Sequence, residues 1–168
     1  EAVRRTVREE LAKNGRSILW IYAPGYYRNH VRDAAFAEEL TGLRFRVAET
    51  GIMPMLTESR LNGIRTTYGL TRAVYPRLVC DDPAAESLGY FINGTTIAGQ
   101  PCGSGTALAR KKKEDWTALW SASPCLPAAW LTEFARGAGV HIWSERGDQI
   151  FTAPDWVAVH AKWDGPLT

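Results

Sequence analysis

The chain has 168 residues, 45% of them hydrophobic, which is the size of one domain with enough apolar material for a core. A formal charge of +2 gives no bulk electrostatic reason to expect nucleic acid or an anionic membrane as partner, and no apolar run approaches the roughly 20 residues that cross a bilayer. Cys80, Cys102 and Cys125 are odd in number and widely spaced, which suits reduced structural thiols better than a disulfide framework or a zinc knuckle.

One disulfide with a leftover thiol is the alternative in an oxidising compartment. The chain opens inside a helical pattern without Met and shows no signal-peptide pattern at Glu1. It therefore reads as a soluble piece of a larger protein, with the compartment open and the cytoplasm favoured.

Val3, Val7 and Leu11 recur at four-residue steps among charged residues, predicting a surface helix that Gly15 ends. Ile18 to Ala23 is a continuous apolar run closed by Pro24-Gly25, the pattern of a strand buried on both faces in the middle of a parallel sheet. Asn29 is placed to cap a helix over Val31, Phe36 and Leu40 that stops at Gly42. Leu43 to Ala48 alternates apolar with basic residues, predicting a strand nearer an edge and completing a right-handed βαβ unit.

From Glu49 to Thr71, Gly51, Pro54, Gly63 and Gly69 interrupt every period, and the segment reads as loop. Tyr75 to Cys80 predicts a short strand before the turn at Asp81-Asp82-Pro83. Leu88 to Ile92 and Thr95 to Ala98 flank Asn93-Gly94, a strong hairpin signal, and a further strand is expected over Thr106 to Arg110. Trp116 to Ala122 predicts another core strand. Pro127 then opens a helix with Trp130, Leu131, Phe134, Ala135 and Ala138 on one face. Strands over Val140 to Trp143, Gln149 to Thr152 and Trp156 to His160 close the chain, and no repeat of fixed period occurs.

Several blocks together resemble a known family. Leu19-Trp20-Ile21-Tyr22-Ala23-Pro24-Gly25 and Glu39-Leu40-Thr41-Gly42-Leu43 look like the start of the trimerisation domain of family 42 β-galactosidases. Trp116 to Pro124, Leu126 to Ala129, Ala138 to Ile142, Gly147-Asp148 and Val159-His160-Ala161 follow in the family's order, so the likeness spans nearly the whole chain. It implies a single flavodoxin-like α/β domain over 1–168, a three-layer sandwich with a mainly parallel central sheet and an added hairpin region, related to class I glutamine amidotransferases. It further implies a non-catalytic accessory domain that follows a catalytic barrel, packs subunits into a trimer and helps wall the neighbour's carbohydrate site. The barrel lies outside this chain, and Gly94 to Lys113 is longer and more polar than the family pattern.

An amidotransferase-like fold directs attention to a nucleophilic cysteine, with the alternative that the chain is a hydrolase using Cys102. Gln100-Pro101-Cys102-Gly103-Ser104 lacks the glycines of a strained strand-to-helix elbow, and His141 lacks a glutamate two residues on. The pairs Glu38-Glu39, Asp81-Asp82 and Glu114-Asp115 read as solvated faces and turns because adjacent side chains diverge. Arg110 to Lys113 reads as a solvated strand end, Asn93-Gly94-Thr95 fits both a turn and a glycosylation acceptor, and neither metal spacing nor a Gly-x-Gly-x-x-Gly cofactor loop occurs. The turn after the first strand instead offers Tyr26, Tyr27 and Arg28 for contact with a neighbouring subunit or a sugar, joined by Trp116 and Trp163. Trp20, Trp120, Trp130 and Trp143 are expected in the core. A free-standing sugar-binding module is a further alternative.

Overall fold

The computed structural model describes residues 2–48, 54–92, 96–97, 100–101, 105–162 and 164. They fall into two compact units, Glu1–Pro127 and Ala128–Thr168.

In the first unit, α1 (Ala2–Thr6) runs into a π-helical turn (Val7–Leu11). The expected apolar stripe is only partly used: Val7 is buried, whereas Val3 and Leu11 are exposed. Arg4 is the buried anchor instead, donating to the carbonyls of Phe36 at 2.9 Å and Gly25 at 2.7 Å. Then follow β1 (Arg16–Ile21), the small hairpin β2 (Tyr27–Arg28) and β3 (Val31–Arg32), and α2 (Ala34–Thr41). Asp33 caps α2 by accepting the Ala35 N–H at 2.9 Å, and Gly42, at φ 70°, ends it. Asn29 is therefore no helix cap. With φ 48°, and His30 at φ 66°, it forms the left-handed two-residue turn that a tight hairpin requires.

The remaining strands of this unit are β4 (Phe45–Ala48), β5 (Pro54–Leu61), β6 (Ile64–Ala73), β7 (Arg77–Cys80), β8 (Glu86–Ile92), β9 (Thr96–Ile97), β10 (Gln100–Pro101), β11 (Thr106–Lys112) and β12 (Trp116–Ser121). The sheet order is β1-β12-β11-β8-β5-β6, with β4 on β7 and β7 touching β11. β1 and β12 run parallel, in register from Arg16 opposite Trp116 to Ile21 opposite Ser121. All other pairings among the described residues are antiparallel.

The expected flavodoxin-like sandwich is thus overturned. The protein is mainly β, a curled, mostly antiparallel half-barrel sheet with three short helices. β1 stands at the end of the strand order, not its centre. No βαβ unit forms either, because β4 pairs antiparallel with β7 and not with β1. Parallel neighbours need long crossovers, normally helical. Past α2 the strands of this unit follow one another without a described helix, and hairpins are what short connections allow.

The segment expected as loop is a long hairpin, β5–β6, turning on Asn62 and Gly63 at φ 50° and 81°. Its inward face carries Thr57, Ser59 and Tyr68, so its burial is invisible to an apolar pattern. Tyr68 reports the curl directly. Its hydroxyl meets Ser121 Oγ at 3.2 Å, although β6 and β12 are separated by three strands in the sheet. Register shifts between Thr106 and Ala109 bend β11 against β8, as bulges do.

Leu43, Phe45, Leu78, Val79, Phe91 and Trp120 are large members of one buried core cluster. Each contributes about 1.5–3 kcal/mol of burial. Arg77 is buried among them with its guanidinium 4.1 Å over the Phe91 ring.

In the second unit, α3 (Ala128–Gly137) buries Trp130 and Phe134, one turn apart with rings 5.2 Å between centroids. The expected strand over Val140 to Trp143 is absent. Trp143 is exposed there, with His141 edge-on to it at 4.9 Å. β13 (Gln149–Ala153) and β14 (Trp156–His160) form a hairpin whose base Asp148 closes, accepting from Ser144 Oγ at 2.7 Å and the Lys162 N–H at 2.8 Å.

Candidate functional site

The site grows from the end of β1. Tyr22 follows the strand with φ 66°, a left-handed conformation that costs an L residue about 1–2 kcal/mol. It is held there from both sides: its N–H donates to the Ser121 carbonyl at 2.8 Å and its carbonyl accepts the Trp120 indole N–H at 2.8 Å. The chain then turns at Gly25, φ 72°, where an added Cβ would lie 2.9 Å from Arg4 Nη2 and 3.1 Å from the Phe36 carbonyl. Tyr26 comes next and is buried, its carbonyl accepting the Asp33 N–H at 3.0 Å.

The β2–β3 hairpin sorts the following side chains. Tyr27 pairs with Arg32, and Arg28 pairs with Val31. Successive strand residues face opposite ways, so Tyr27 and Arg32 share one face and Arg28 takes the other. Arg28 bonds Glu39 Oε2 at 3.0 Å and stacks 5.3 Å from the Phe36 centroid, which fastens the hairpin to α2. Tyr75 and Pro76, between β6 and β7, supply the facing wall.

These residues enclose an open pocket of about 350 Å³ lined by Tyr22, Tyr26, Tyr27, Arg32, Tyr75 and Pro76. Tyr27 and Tyr75 expose more than half of their surface, at 58% and 56%, and so present ring faces to solvent. Burial raises the Tyr26 phenol above its ordinary value, and the hydrogen bond with Tyr75 raises it further against the pull of Arg32. Burial likewise raises Tyr22. Both phenols stay protonated at neutral pH and can donate. The Tyr27 hydroxyl bonds His30 Nδ1 at 3.1 Å.

Of the residues picked from sequence, Tyr26 and Tyr27 come together in this pocket and Arg28 stands behind it. Trp116 is half-buried against the core, beside the Gly42 cap, away from the pocket. Trp163 lies outside the described residues, as do Cys102 and the Asn93-Gly94 turn. Tyr22, Arg32 and Tyr75 were not singled out. A two-residue turn at Asn29-His30 would have placed Arg32 opposite Tyr27, but nothing local reveals Tyr75.

Carboxylates from the adjacent acidic pairs are engaged in local contacts. Glu39 is shared by Arg8 at 3.1 Å and Arg28 at 3.0 Å, Asp81 holds Arg44 at 2.9 Å, and Asp115 accepts the Asn14 N–H at 2.9 Å. Burial pushes the Cys80 thiol up, away from the reactive thiolate. No group of three His, Cys, Asp or Glu among the described residues could hold a metal ion. What the pocket can do is bind: aromatic faces, phenol donors and one guanidinium converge on a space at the small end of the ~300–1,000 Å³ range of ligand sites.

Comparison with protein-family descriptions, curated proteins and solved structures finds no match to this chain.

Proposed function

We propose that the chain is a non-catalytic accessory domain of a β-galactosidase-like glycoside hydrolase, which takes part in subunit assembly and offers the turn after β1 to a carbohydrate. The observation that carries the reading is the tyrosine pocket, which unites Tyr26 and Tyr27 with Tyr22 and Tyr75. A sugar ring has C–H faces that pack on aromatic surfaces and hydroxyls that exchange hydrogen bonds with phenols, the two kinds of group this pocket supplies. Assembly is supported by the β13–β14 hairpin, where Phe151, Trp156 and Val157 are exposed.

The test is titration of the whole chain with galactose and methyl galactosides, followed by tyrosine and tryptophan fluorescence. Saturable binding that weakens about tenfold or more in Tyr75→Ala is expected. Absence of any signal at millimolar sugar removes the carbohydrate contact. Sedimentation showing only monomers at high micromolar concentration removes the assembly role.

A further inference from the structure

We infer that the pocket selects an acidic sugar residue, a ring bearing a carboxylate, and that Arg32 reads the charge. This rests on the carbohydrate reading above and narrows it.

The argument starts from the arginines around the turn. Arg4, Arg8 and Arg28 all lie within 4 Å of Glu39. Arg32 differs. It is an exposed residue lining the pocket, and among the described residues it makes no ion pair. The carboxylate next to it in sequence, Asp33, caps α2 by accepting the Ala35 N–H and is not in an ion pair with Arg32, although its charge is felt at Tyr26 alongside that of Arg32. The tyrosines that share the pocket bring no compensating charge, since Tyr22 and Tyr26 are held in the neutral form. The pocket is thus walled by neutral aromatic rings and one guanidinium that no carboxylate pairs directly among the described residues.

A neutral ligand entering it would strip water from Arg32 and return at most neutral hydrogen bonds, whereas a carboxylate matches the planar fork of a guanidinium with two parallel ones. Because Arg32 stands opposite Tyr27 across the hairpin, a ring stacked on Tyr27 holds its carboxylate beside the guanidinium. The volume of about 350 Å³ suits one terminal sugar residue, not a chain.

Isothermal titration of the full chain with galacturonic acid, galactose and acetate tests this. Galacturonic acid is expected to bind about tenfold or more tightly than galactose, with acetate far weaker than either, because one charge-assisted bidentate contact is added to the stacking. Arg32→Ala should erase the preference, weakening galacturonic acid far more than galactose. Arg32→Lys should retain a preference reduced several-fold, since the charge survives without the fork. Equal binding of the two sugars by the wild-type chain, acetate binding as well as galacturonic acid, or equal weakening of both sugars in Arg32→Ala overturns the inference while leaving a sugar or anion site in place. Binding of none of the three overturns the carbohydrate reading and the inference together. The wild-type comparison needs no variant, so a misfolded Arg32→Ala protein would still leave the question decided.

Discussion

The Trp120 indole N–H donates to the Tyr22 carbonyl at 2.8 Å, so a core side chain on β12 fixes the left-handed residue at which β1 gives way to the pocket. Trp120 is fully buried and lies tilted against Phe45, 4.9 Å between centroids. Replacing Trp120 with Phe keeps an aromatic ring but deletes the donor and part of the volume. We expect a loss of about 2–3 kcal/mol in urea unfolding, together with weaker ligand binding because Tyr22 is no longer pinned. Unchanged affinity in a folded Trp120→Phe protein would separate the pocket from this hydrogen bond.

Gly89 sits where β8 passes between β5 and β11. A Cβ there would lie 2.8 Å from the Glu58 carbonyl oxygen and 3.0 Å from Ser59 Cβ, with Leu108 Cβ at 3.2 Å from the other neighbour. Its φ is not left-handed, so close approach alone demands glycine. Gly89→Ala should cost about 1–3 kcal/mol by forcing the strands apart, read as a lower midpoint in thermal or urea unfolding. Wild-type stability would mean that the sheet curls less tightly at this point.

Tyr68 makes stability fall in base. Burial outweighs its hydrogen bond to Ser121 and pushes its phenol up to about 12, from an ordinary 10.0. Below pH 10 both folded and unfolded chains keep this proton. Between pH 10 and about 12 the unfolded chain has released it and the folded chain has not, so stability declines as pH rises through that window, by about 2–3 kcal/mol in total. Tyr68→Phe should show a correspondingly flatter decline when urea midpoints are measured across the same range.

Asp82 governs the acid side. Burial pushes its carboxyl up, but the Lys111 ammonium and the backbone N–H groups of Arg44 and Ala84 together outweigh it and hold the group below its ordinary 3.8. Its contribution is present above that value and is lost as pH falls through the lower folded one. The side chains of Lys111 and Asp82 are only 18% and 6% exposed. Lys111→Met, which strands the carboxylate, should therefore cost about 1–3 kcal/mol at neutral pH. The deficit should shrink in acid, where Asp82 is protonated in both proteins; a constant deficit across pH would mean that the lysine acts only through packing.

How far the fold could be read from sequence depended on how burial was written into each segment. Trp116 to Ser121 and Gln149 to Ala153 announce themselves as strands because apolar residues fill them or alternate in them. β5 buries Thr57 and Ser59, which carry no hydrophobic signal, so a segment with a hairpin turn at Asn62-Gly63 reads as loop. The first strand misled in the opposite way. Ile18 to Ala23 looks like a central strand, yet β1 ends the sheet order, because a continuous apolar run shows burial but not which neighbours provide it.

By itself the sequence determined most of the local elements: strands at β1, β7, β11 and β12, a helix ending at Gly42, a helix starting near Pro127, and an aromatic turn at Tyr26 and Tyr27. These follow from side-chain periodicity and turn chemistry, which act over a few residues. Only the tertiary structure decided that β12 comes back parallel to β1 after the antiparallel strands have curled, and that Tyr75 and Arg32 complete the pocket around Tyr26. Those outcomes depend on strand pairings between residues tens of positions apart, whose register is set by how the whole sheet closes over Trp120 and Phe91, and no local pattern encodes that closure.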